Sequence, residues 1–300
     1  MFIIAALMLL SIPGVPGPEG KSSPRDPMFL FSFGIITDVH YCNREPEGSR
    51  FYTNSSIKLR KALNNLKADS VEFLINLGDI IDRDFESFKP VLDIIDSSGL
   101  PVYHVVGNHD YSVEKRFKRK IPVQRHSGNK YYSFVQGNIR FIALDGNEVS
   151  VYASGSRKTT SDALKLIEEL SLSGRENAMD WNGGISGKQL QWLKLQLDES
   201  VSRNEKVIIL CHFPVYPDNM HNLLNSDKVL SLLGKYQNVV AWFNGHNHSG
   251  NYGNFNMIHF VTLKGMVETS NTGSHARVDV YRNKIWITGS GREKSQILAY

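Results

Sequence analysis

Along this chain, unbroken apolar runs stop abruptly at Asp, Asn or His. Phe29 to Ile36 leads into Asp38-Val39-His40, and Leu74 to Leu77 into Gly78-Asp79. Val102 to Val106 leads into Gly107-Asn108-His109-Asp110, Val207 to Leu210 into Cys211-His212, and Val239 to Phe243 into Gly245-His246-Asn247-His248. Runs this short, without polar alternation, read as strands buried on both faces. Between the first three, apolar residues recur at helical spacing: Leu59, Leu63 and Leu66, then Phe85, Phe88, Leu92 and Ile95, with Gly99 as the stop. Three strand, motif, helix units in succession predict a parallel sheet with right-handed crossovers, and so an α/β fold.

The pattern then changes. Tyr131 to Val135 and Ile139 to Leu144, divided by Gln136-Gly137-Asn138, predict a hairpin. Residues 145 to 187 form a long insertion with one expected helix, Asp162 to Leu170; insertions of this length are commonly functional, so substrate choice is expected here. Asp180 to Gly184 reads as a turn before a helix carrying Leu190, Leu193 and Leu197. After His212, Phe213-Pro214-Val215-Tyr216-Pro217 prevents an immediate helix, and the next is expected around Val229 to Leu233. Ile258 to Leu263, Arg277 to Tyr281 and Lys284 to Thr288 alternate like antiparallel strands, so the C-terminal half is expected to add a second, mixed sheet.

Phe2 to Ile12 is apolar, uncharged and too short to span a bilayer. Followed by residues 13 to 27, rich in Pro, Gly and Ser, it reads as a signal-peptide core with a flexible lead-in to a domain over 28–300. Export to a secreted or periplasmic location follows; the alternative is a cytoplasmic protein starting at Met28. The 300 residues suffice for a large core, and the net charge of +4 is spread along the chain, which favours anionic substrates weakly and gives no reason to expect nucleic acid. The densest basic run, Lys115 to Lys120, reads as a solvated helix face. Cys42 and Cys211 lack Cys-x-x-Cys spacing and read as inert thiols, and Asn54-Ser55-Ser56 fits a glycosylation acceptor.

Open α/β sheets place ligand sites at the carboxyl ends of their strands, so five such endings describe one site. In an extended chain, period-two alternation would aim Asp38 and His40 the same way. Imidazole, carboxylate and amide without thiolate suit Mn, Fe or Zn. The donors exceed one ion's needs, which points to two ions about 3.5 to 4 Å apart sharing a carboxylate. Of the ten histidines, the remaining His104, His126, His221, His259 and His275 read as ordinary core or surface residues.

The ordered set Asp38-x-His40, Gly78-Asp79-x-x-Asp82, Gly107-Asn108-His109-Asp110, His212 and Gly245-His246-x-His248 resembles the calcineurin-like metallophosphoesterase superfamily from about residue 30 onward. The resemblance implies a four-layer α/β/β/α sandwich of two mixed sheets. It implies Asp38, His40 and His248 on one metal, Asn108, His212 and His246 on the other, and Asp79 between them. A metal-bridging hydroxide is then expected to attack phosphorus in line. His109 would act at the leaving oxygen with Asp110 orienting it, and Asp82 would steady a ligand from behind.

A closer likeness is to the manganese-dependent ADP-ribose/CDP-alcohol diphosphatase group. It rests on Gly48-Ser49-Arg50-Phe51-Tyr52, Asn182-Gly183-Gly184-Ile185-Ser186, Gln189-Leu190-x-Trp192-Leu193, His212 to Asp218 and Leu263 to Thr269. It implies cleavage of a nucleoside diphosphate derivative, a small phosphorylated substrate. Arg50, Phe51 and Tyr52 would meet the nucleoside by charge and stacking, unless the two aromatics simply pack a loop. This chain departs from that group by keeping His40 where the group carries Gln, and by a shorter insertion after residue 145. The alternatives are a broad-range phosphomonoesterase or phosphodiesterase, and a non-catalytic scaffold of the same fold.

Overall fold

The computed structural model describes residues 26–122, 130–153 and 156–300. The expected signal-peptide core lies outside the described residues. The first three units form as expected: β1 (Phe29–Ile36), α1 (Asn54–Ala68), β2 (Phe73–Asn76), α2 (Phe88–Ser97) and β3 (Val102–His104), with the three strands parallel. α1 buries Leu59, Leu63 and Leu66, each removal from water favouring the fold by about 2 kcal/mol. α2 buries Phe88, Val91, Ile94 and Ile95, so its apolar stripe is rotated slightly from the expected one and leaves Leu92 half-buried.

β4 (Tyr132–Gln136) and β5 (Ile139–Ala143) form the expected hairpin. The insertion carries β6 (Val149–Ser150), α3 (Arg157–Leu172) and β7 (Gly183–Gly184), and is followed by α4 (Gly187–Ser202). β7 was expected as a turn; it pairs with β6 because two glycines without side chains let the backbones lie close. α3 begins earlier than expected, since Ser156 caps it by accepting the Thr159 N–H. β8 (Lys206–Leu210), α5 (Ser226–Leu233), β9 (Val239–Asn244), β10 (Asn251–Phe255) and β11 (Ile258–Thr262) complete a sheet ordered β10-β11-β9-β8-β5-β4.

The last stretch differs from expectation. β11 runs parallel to β9, whereas β12 (Ser274–Tyr281), β13 (Lys284–Gly291) and β14 (Gln296–Ala299) cross back and extend the first sheet, ordered β14-β13-β12-β1-β2-β3. The second sheet, mixed as expected, therefore ends at β11 and does not include the last three strands. Alternation identifies these strands but not the sheet they join, and the free edge of β1 takes β12 in antiparallel register.

Three apolar layers result. Phe31, Phe33, Ile35, Phe73, Phe141, Phe243 and Val278 pack between the sheets; α1 and α2 cover one outer face, and α4 and α5 the other. This is the expected α/β/β/α sandwich. Lys115 to Lys120 lies in turns and not on a helix, with Lys118 donating to the Tyr152 carbonyl. Asn54 spends its amide on the Ser270 carbonyl at 2.8 Å. No helix among the described residues is long and apolar enough to cross a membrane.

Candidate metal centre

The strands deliver their end residues through kinks. Asp38, His40, Asp79 and His246 have φ of 51°, 46°, 53° and 66°, a left-handed conformation that costs a side-chain-bearing residue about 1 kcal/mol or more. Asp38 and His40 therefore converge because the chain turns, and not because an extended strand alternates. Backbone bonds hold the turn: the Asp38 N–H donates to Gly78 O at 3.0 Å and the His40 N–H to Asp79 O at 2.8 Å. The carboxylates of Asp79 and Asp38 lie so close to Gly107 and Gly245 that a side chain at either glycine would collide with them.

The structure brings all seven expected ligands together. Donor atoms of Asp38, His40 and His248 gather in one group and those of Asp79, His212 and His246 in another, each within 4.8 Å. Nε2 of His40 and Nε2 of His248 face each other at 3.2 Å, and lie 3.5 and 3.3 Å from Oδ1 of Asp38. Asp79 Oδ2 is 3.3 Å from His40 Nε2 and 3.1 Å from His212 Nε2, yet accepts no hydrogen bond, which places it between the groups. Asn108 Oδ1 lies 3.2 Å from His212 Nε2. Imidazole, carboxylate and amide atoms converging on common points fit a pair of divalent cations.

Partners behind the imidazoles support this. His212 Nδ1 donates to Leu77 O at 2.8 Å and His248 Nδ1 to Glu268 Oε1 at 2.7 Å, leaving both Nε2 atoms bare. His246 Nε2 donates to Asn182 Oδ1 at 3.0 Å, leaving its Nδ1 bare. Asn182 and Glu268 escaped the ligand reading, although both lie in stretches that carried the closer resemblance. Nothing in the pattern marked His221, whose ring sits 5.4 Å from that of His246.

Electrostatics point the same way. Burial pushes the Asp38 carboxyl up, but the charge and hydrogen bonds of His248 and His40 outweigh it and hold it well below the usual range. His40 loses by burial but gains from Asp38 and Asp79, and rises to about 10; His212 rises to about 9 mainly through Asp79. The aspartates thus favour positive charge at this point, which a pair of bound cations would supply.

Two expectations need correction. Asp110 does not touch His109; its carboxylate accepts N–H groups of Asp79 at 3.0 Å, Ile80 at 2.9 Å and Gly107 at 2.9 Å, tying the β2 and β3 loops together. Asp82 takes the other role, with Oδ1 2.7 Å from His109 Nδ1. Tyr52 is 1% exposed and packs on Cys42 and Val267, which removes it from any stacking role; Arg50 and Phe51 stay half-buried. Both cysteines are buried free thiols that burial pushes up, to about 11 for Cys42 and about 12 for Cys211, in keeping with inert packing.

Residues 31–250 match the family model for calcineurin-like phosphoesterases. The chain belongs to this family. A manganese-dependent ADP-ribose/CDP-alcohol diphosphatase from Arabidopsis thaliana is 30% identical over 306 residues, covering 91% of this chain and 98% of the relative. The Homo sapiens protein of the same name is 30% identical over 333 residues, covering 95% and 96%. A dimetal phosphatase from Danio rerio superposes with a TM-score of 0.82 at 28% identity, over 91% of this chain and 99% of that one. This calcineurin-like phosphoesterase, with its paired donor groups, is a metal-dependent phosphohydrolase.

Proposed function

We propose that the chain hydrolyses the diphosphate bond of nucleoside diphosphate derivatives of the ADP-ribose or CDP-alcohol type, with manganese as its metal. The observation carrying this reading is the end-to-end match to diphosphatases of that name, 91% of this chain against 98% of the Arabidopsis protein. Asp38, His40 and His248 would hold one cation, Asn108, His212 and His246 the other, with Asp79 between. When bound, the pair lowers the pKa of water toward neutrality and offsets phosphoryl charge. His109 is fixed through Nδ1 by Asp82, so its Nε2 is the nitrogen free to meet the leaving oxygen. Asp110 keeps the two loops that carry Asp79 and Asn108 in register.

A second reading, a broader phosphoesterase, is favoured by the match of residues 31–250 to the general calcineurin-like phosphoesterase model. A substrate panel with added Mn separates the two: ADP-ribose, CDP-choline, CDP-glycerol, cyclic nucleotides and simple monoesters. The diphosphates should exceed the monoesters in kcat/KM by about tenfold or more, a difference of about 1.4 kcal/mol in transition-state stabilisation. Monoesters turned over as well as ADP-ribose would sink the diphosphatase reading.

A further inference from the structure

On the helix-covered face of the first sheet, α1, β12 and β13 enclose a cavity of about 330 Å³. Ala276, Val278 and Val280 of β12 point into the core between the sheets, so the alternate position His275 faces α1. His275 is 7% exposed, lines the cavity, and neither ring nitrogen has a hydrogen-bond partner. An unpartnered buried polar group costs about 1 to 3 kcal/mol, which a ligand accepting from the imidazole would offset.

The rest of the wall bears on the ligand's charge. Lys61 of α1 is exposed, makes no ion pair among the described residues, and its charge acts on His275. Asn65, Asn271 and Ser290 add amide and hydroxyl donors, and no carboxylate lines the cavity. Asp69, whose charge also reaches His275, is not part of the lining. A lining of N–H and O–H donors with no carboxylate offers hydrogen bonds to an oxyanion and none of the oxygen charge that a cation needs.

Lys58 also lines this cavity and joins it to the metal centre. Its Nζ donates to the carbonyls of Val267 at 3.0 Å, Glu268 at 3.2 Å and Thr269 at 2.8 Å. Glu268 in turn holds Nδ1 of His248. An anion in the cavity that draws the Lys58 ammonium toward it would loosen its hold on those three carbonyls and so act on the segment that orients His248, a candidate metal ligand.

We propose that this cavity is an effector site for a small oxyanion, phosphate either free or as the head of a phosphorylated small molecule, coupled to the metal centre through Lys58. The site stands whichever phosphoester the centre cleaves. Calorimetric titration of the Mn-loaded full chain with inorganic phosphate, and separately with AMP, should show a binding event beyond the one at the metals. Equal response to both probes identifies free phosphate as sufficient, and a response to AMP alone identifies a phosphorylated small molecule; either supports the site.

Lys61→Gln, a surface change that leaves the fold intact, should weaken the extra event about tenfold, the loss expected for one charge-assisted contact. His275→Gln should do the same. Lys61→Gln should keep basal turnover while inhibition by phosphate changes from mixed to purely competitive. A single binding event in the unmodified protein, or an extra event untouched by both variants, would overturn the site. Purely competitive inhibition in the unmodified protein would overturn the coupling through Lys58.

Discussion

Oδ1 of Asn182 lies 3.0 Å from Nε2 of His246, while its Nδ2 donates to Asn177 O at 3.0 Å and Met220 O at 2.7 Å. Those two donations settle which way the amide faces, and so require His246 to carry its proton on Nε2. One fully buried amide therefore joins His246, a candidate metal ligand, to the two loops that flank it. Asn182→Leu should weaken Mn binding at the His246 side about 10- to 100-fold. Titration of Mn into the metal-stripped protein checks this; two undiminished sites would show that Asn182 does not set the tautomer.

The Asp82–His109 pair predicts a dependence on leaving group. A diphosphate expels a phosphate monoester, already a stable anion, whereas an alkyl phosphate expels an alkoxide that needs a proton. His109→Ala and Asp82→Asn should therefore lower turnover of glycerol phosphate about 10²- to 10⁴-fold, with a much smaller loss on ADP-ribose. Asp110→Asn should behave differently, lowering the melting temperature without changing the ratio between the substrates, because its partners are backbone N–H groups. If Asp110→Asn shifts that ratio and Asp82→Asn does not, the assignment of the two aspartates is reversed.

His221 adds a further case. Its ring stands edge-on to His246, and its buried Nδ1 has no hydrogen-bond partner among the described residues. Nothing in the fold depends on its polarity, so His221→Ala should leave thermal stability within about 0.5 to 1 kcal/mol of the unmodified chain. The effect should fall on KM for the phosphorylated substrate, by several-fold. Loss of bound Mn with KM unchanged would instead make it a support for His246.

The candidate metal donors were legible in the sequence because each lies at or just past the end of an apolar run, and a buried strand with a sharp end announces itself locally. The same local logic gave β1 to β3 and the helices between them. What it could not give were relationships across the chain. Glu268 meets His248, and Asn182 meets His246, only after the sheets are stacked. β12 carries the alternation of a strand in either sheet, and its choice depends on the free edge of β1. Asp110, adjacent in sequence, was expected to serve His109, and the structure gives that part to Asp82 instead. The left-handed turn at Asp79 aims the backbone N–H groups of residues 79 and 80 at Asp110, which commits its carboxylate there and leaves His109 to Asp82.

Asp145, just after β5, offers a test of electrostatics away from the metals. It is 3% exposed, and burial outweighs the charge of Lys130 and the Asn147 N–H, raising its pKa from 3.8 to about 6. In that window the folded chain holds the proton that the unfolded chain has released. Stability from this group is thus complete below the unfolded value and lost as pH climbs through about 6. At pH 7.5 both states are ionised, and the folded one carries the full cost of a buried carboxylate. Asp145→Asn keeps an oxygen for the Asn147 N–H, 3.0 Å away, but cannot ionise. It should stabilise the protein by about 1 to 3 kcal/mol at pH 7.5. Denaturant midpoints of the two proteins should draw together as pH is lowered to 4.5; a gain that is the same at every pH would mean that packing, and not the buried charge, is responsible.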